Sequence, residues 1–109
     1  MTINWIFDLD NTLYDFIENN NDRFNYNNLE HDNQKNNKLK QLKGKRIIFS
    51  NGNLLHVLAC IRKMKLEKIF HKVSCRELHG LKPHFFSYIS LYRIANIQKE
   101  DKCFFFDDL

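Results

Sequence analysis

The sequence predicts an α/β fold built on a parallel β-sheet, and three observations carry that prediction. Trp5-Ile6-Phe7, Ile47-Ile48-Phe49 and Phe104-Phe105-Phe106 are short, continuous apolar runs, the pattern of strands buried on both faces. Helical spacings fill the interval between the second and third runs, and strands alternating with helices build parallel sheets. Each run also ends in a polar residue, Asp8, Ser50 or Asp107, at the carboxyl edge where open α/β sheets bind ligands.

Taken in order, the first strand leads from Trp5-Ile6-Phe7 into Asp8-Leu9-Asp10. Residues Asn19–Asn37 hold asparagine at nine of nineteen positions, a composition that favours turns over helix interiors and reads as a low-complexity insert. Leu39 and Leu42 mark a short helix before the second strand, Ile47–Phe49. Asn53 is placed to cap a helix whose apolar face is Leu54, Leu58, Ile61 and Met64, with Arg62, Lys63 and Lys65 left for solvent. Val73 centres a weaker strand, Lys72–Cys75. Pro83 suits the first turn of a further helix with Phe85, Ile89 and Tyr92 on its apolar face. Phe104–Phe106 closes the set.

The chain has 109 residues, enough for one domain. We read 1–109 as that domain and 15–45 as a reduced, Asn-rich insert within it. Its apolar runs are too short to span a membrane. Three cysteines, Cys60, Cys75 and Cys103, without a signal-peptide pattern at the start, argue against a secreted disulfide scaffold and for a reducing, cytoplasmic setting. Seventeen basic against thirteen acidic residues leave a net charge of +4, compatible with phosphate-bearing partners of any size.

The candidate chemistry lies at the strand ends. Asp8 and Asp10 stand two residues apart, on one side of an extended backbone, and Asp107-Asp108 adds two further carboxylates. If they converge, their repulsion calls for a hard cation, and such an oxygen-rich set suits Mg²⁺. Lys82 is placed to neutralise a phosphoryl group. Ser50-Asn51-Gly52-Asn53 offers a hydroxyl, backbone N–H groups and a helix start, together an anion site. Two other readings compete with this one. Lys35, Lys38, Lys40, Lys43, Lys45 and Arg46 form a basic run that reads as a solvated face, so nucleic acid is not the expected partner. Cys75, His79 and His84 offer zinc-binding residue types without zinc-site spacing. His56 has no assigned role from spacing alone.

The ordered set Asp8-Leu9-Asp10-Asn11-Thr12-Leu13-Tyr14, Phe49-Ser50-Asn51, Leu81-Lys82-Pro83 and Phe106-Asp107-Asp108 resembles the four motifs of the haloacid dehalogenase-like hydrolase superfamily. FDLDNTLY, FSNGNLLHVL with His56, LEKIF and FFFDDL are similar to its pyrimidine 5′-nucleotidase branch. The resemblance implies a Rossmann-like, three-layer sheet and a Mg²⁺-dependent phosphatase acting on a small phosphorylated substrate, a nucleotide among the candidates. It implies Asp8 as nucleophile and Asp10 as general acid and base. Ser50, Asn51 and Lys82 would hold the phosphoryl group, while Asp8, Asp10, Asp107 and Asp108 would hold the metal, Asp10 through its carbonyl. Thr12 would support the loop. The superfamily continues beyond its fourth motif and carries a longer cap. A chain ending at Leu109 is therefore expected to have an incomplete sheet, an apolar Phe104–Phe106 edge open to self-association, and an open site. The alternative is a catalytically silent module that keeps the motifs; an open site would also suit a phosphatase acting on nucleic-acid ends or another large substrate.

Overall fold

The apolar runs become strands whose neighbours are set by the connections between them. The computed structural model describes residues 1–14, 26 and 29–107; most of the Asn-rich insert, Asp108 and Leu109 lie outside the described residues. The elements are β1 (Ile3–Phe7), α1 (Asn33–Lys40), β2 (Lys45–Phe49), α2 (Leu54–Met64), β3 (Lys72–Ser74), α3 (Arg76–His79), α4 (Phe85–Ile94) and β4 (Lys102–Phe106). The strands form one sheet in the order β3-β2-β1-β4, every pair parallel. The expected α/β class with a parallel, Rossmann-like sheet is what the chain adopts.

Strand alternation divides the core in two. Phe7 and Ile48 point to one face, where Leu39 of α1 and Val57, Cys60, Ile61 and Met64 of α2 cover them. Ile6, Ile47 and Phe49 point to the other, against Leu91 of α4, Ala95 at its C-cap and the following Ile97. Gly44, before β2, has φ +125°, and a Cβ there would stand 2.2 Å from the Ile3 carbonyl oxygen. Only glycine lets β2 start that close to β1.

The helix faces differ from the sequence reading. In α2, Asn53 caps as expected, its Oδ1 accepting from His56 N at 2.8 Å. Leu54 and Leu58 are exposed, however, while Val57, Cys60, Ile61 and Met64 face inward. The helix is apolar on more than one side, so spacing alone left its rotation open and the sheet chose it. In α4 the buried residues are Ser87 and Leu91, and Phe85 and Phe86 are 73% and 77% exposed. Pro83 precedes the helix, after a cis Lys82–Pro83 peptide, rather than sitting in its first turn. In the insert, Asn33–Asn37 is helical and Asn36 is buried, its side-chain amide donating to the Met64 carbonyl at 3.1 Å.

β4 lies at the apolar edge expected for Phe104–Phe106 and departs only from the reading of a strand buried on both faces. Phe104, Phe105 and Phe106 are 44%, 43% and 41% exposed, because β4 is an edge strand with β1 as its neighbour. Phe104 stacks on Trp5 and Phe106 on Phe7, at centroid distances of 5.0 and 4.7 Å.

Candidate active site

The sheet order reverses between β1 and β4. β1 to β3 step outward to one side, and the chain then returns past β1 to place β4 on the other. The carboxyl ends of strands at such a switch point are the place where open parallel sheets bind ligands. Asp8 follows β1 and Asp107 follows β4, and the Asp8 amide donates to the Phe106 carbonyl at 2.8 Å.

Lys82 joins these strand ends. Its ammonium donates to Asp107 Oδ2 at 2.8 Å, to Asp8 Oδ1 at 3.2 Å and to the Phe49 carbonyl at 2.7 Å, and it lies 4.8 Å from the centre of the Phe49 ring. Its side chain is 2% exposed; a buried ammonium is tolerable because carboxylates and a carbonyl replace its water. Asn51 holds the loop that carries it: Oδ1 accepts from Lys82 N at 2.7 Å and Nδ2 donates to the Lys82 carbonyl at 3.4 Å. Four sequence-separated segments therefore meet here, with Lys82 joining Asp8 to Asp107.

Ser50 and the α2 start are arranged differently from their reading as an anion site. Ser50 is fully buried, and its Oγ accepts from Gly52 N at 2.9 Å. A Cβ at Gly52 would stand 2.8 Å from His56 Cδ2, so a larger residue there would have to displace the His56 ring. The Leu54 amide donates to both carboxylate oxygens of Glu77, at 3.1 and 2.9 Å, which holds the Glu77 pKa below the usual range. Together with the Asn53 cap, these bonds engage three of the donors that would have greeted an anion.

Asp10 faces a second cluster. Its Oδ1 accepts from His56 Nε2 at 2.8 Å and from the Tyr14 hydroxyl, and Tyr26 OH pairs with His56 Nδ1 at 2.9 Å. Burial pushes the Asp10 carboxyl up, but the hydrogen bonds from His56 and Tyr14, with the charges of His56 and Lys82, outweigh it and hold the group ionised. The bond to Asp10 is the main cause that raises His56 to about 11. Burial and Asp10 push the Tyr14 phenol up as well. At neutral pH the pair is thus an Asp10 carboxylate and a His56 imidazolium. Sequence reasoning left His56 unassigned and read Cys60 only through its compartment; the i, i+4 spacing of His56 and Cys60 on α2 was the available signal.

The competing readings fare unevenly. Among the described residues, the metal-capable group is Asp10, His56 and Cys60, not Cys75, His79 and His84. His79 is instead packed on Phe49, 4.3 Å between centroids, with Nδ1 hydrogen-bonded to Ser74 Oγ at 2.6 Å; burial, with Lys82 nearby, lowers its pKa to about 4. Within the basic run, Lys35 bonds the Leu13 carbonyl, Lys45 those of Ala95 and Asn96, and Arg46 those of Ile69 and Leu42. Those cations cap carbonyls rather than present a charged face. No helix among the described residues is long and apolar enough to cross a membrane. The chain matches no family model and no curated protein.

Proposed function

We propose that the chain is a Mg²⁺-dependent phosphomonoester hydrolase working through an aspartyl-phosphate on Asp8. The observation that carries this reading is the meeting of Asp8 and Asp107 on buried Lys82 at the switch point of the sheet. A carboxylate oxygen of Asp8 attacks phosphorus as the ester P–O bond breaks, and the leaving oxygen takes the proton held by the Asp10–His56 pair. Water then attacks the aspartyl-phosphate, gives its proton back to the pair and releases inorganic phosphate with Asp8 restored. Lys82 lies where it balances charge on the transferring phosphoryl group.

The residue types suit Mg²⁺: Asp8 and Asp107 carry hard carboxylate oxygens, one from each lying on the Lys82 ammonium. With the Asp10 carbonyl they would hold the ion, which when bound draws charge from the phosphoryl oxygens; Asp108 lies outside the described residues. Small phosphate esters, nucleotides among them, are the proposed substrates. A second reading, a non-catalytic α/β module, is favoured by the buried Ser50 hydroxyl and by the bonds that engage the α2 start.

Hydrolysis of an aryl phosphate decides between them. Under the first reading phosphate release requires Mg²⁺, Asp8→Asn removes it, and Asp10→Asn lowers it by about 10²–10⁴-fold. No release by folded protein with Mg²⁺ present selects the second.

A further inference from the structure

We propose that Asp10, His56 and Cys60 form a zinc-binding site near the Asp8–Lys82 ion pair. One ligand atom from each lies within 4.8 Å of the other two. Cys60 Sγ stands 3.7 Å from His56 Nε2, and that nitrogen 2.8 Å from Asp10 Oδ1. A tetrahedral zinc with ordinary bond lengths separates sulfur from nitrogen by about 3.6 Å and nitrogen from oxygen by about 3.3 Å. The first edge is already in place, and the second needs to open by about half an ångström.

Three features favour this group as a site over an accidental cluster. His56 and Cys60 share one face of α2 a turn apart, so the helix itself fixes their spacing. The Tyr26 hydroxyl engages Nδ1 at 2.9 Å, the outer-shell contact that orients a ligating imidazole and leaves Nε2 for the metal. The Tyr14 hydroxyl lies 3.5 Å from Nε2 and 3.8 Å from Sγ and bonds Asp10 Oδ1, so it stays an outer contact of the carboxylate, and a water would complete four-coordination. A thiolate, an imidazole and a carboxylate make a borderline-soft set that takes zinc over magnesium. On binding, the thiol proton of Cys60 and the ring proton of His56 leave to solvent.

The proposal stands on these side chains and not on the phosphatase reading. If both hold, zinc removes the Asp10–His56 pair from acid–base work and inhibits turnover.

Cobalt(II) titrated into the full chain tests the site without any activity measurement. The expected result is one tetrahedral cobalt per chain with a thiolate-to-cobalt absorption band, displaced by one equivalent of Zn²⁺. Cys60→Ser removes the band, Cys75→Ser and Cys103→Ser keep it, and Tyr26→Phe weakens zinc by about 10–100-fold. Folded wild-type protein that gives no thiolate band overturns the proposal, as does a band that survives in Cys60→Ser. Zinc bound here by a chain that hydrolyses no phosphate ester supports the site and rejects the phosphatase alone.

Discussion

Replacing Lys82 by Met keeps the stem against Phe49 and removes the ammonium that Asp8 and Asp107 share. Breaking a buried ion pair from one side costs about 3–5 kcal/mol. Urea unfolding of Lys82→Met should show a loss of that size, and millimolar Mg²⁺ should recover part of it. His79 and His56 push stability in opposite directions along the pH axis. His79 is lowered to about 4 in the fold, so its contribution is complete above the ordinary histidine value and drains away as pH falls from about 6.5 to 4. His56, raised to about 11, contributes fully below about 6.5 and loses its share as pH climbs through that folded value. His79→Gln should flatten the acid limb of stability against pH, and His56→Gln the alkaline limb. Asp8 and Asp107 were legible because strand ends in a parallel sheet meet at its carboxyl edge, whereas Lys82, in the loop between α3 and α4, was legible only through the Leu81-Lys82-Pro83 motif. The Asp10–His56–Tyr26 network was not, because its geometry depends on the rotation of α2 and on a loop whose composition says only that it is polar.

At the scale of elements, the strands and the order of helices could be read from the apolar runs, and the helix faces could not. Periodicity ranks faces by hydrophobicity, which decides little when a helix is apolar on several sides. Phe85, Phe86, Ile89, Leu91 and Tyr92 give α4 such a surface, and the sheet takes Leu91 and Ala95 while Phe86 stays out. Leu91→Ala should therefore cost about 2–5 kcal/mol. Phe86→Ser should change the unfolding free energy by no more than about 0.5 kcal/mol. The reverse ranking in chemical denaturation would place α4 the other way round.

Across the whole molecule, one sheet face is covered by α1 and α2 and the other by α4, while β4 is left at the edge with three half-exposed phenylalanines. An apolar strand with a free edge is a template for pairing. Sedimentation at rising concentration should show self-association, and Phe104→Lys should shift the chain toward monomer. β4 also pairs with β1 across nearly the whole sequence, Ile3 opposite Lys102, whereas β2 and β3 join Ile47 to Lys72 over a short stretch. Loop closure makes such remote contacts slow to form. The β2–α2–β3 segment should then nucleate folding and β4 dock after the rate-limiting barrier. Destabilising substitutions in β4 should accordingly speed unfolding while leaving the refolding rate almost untouched.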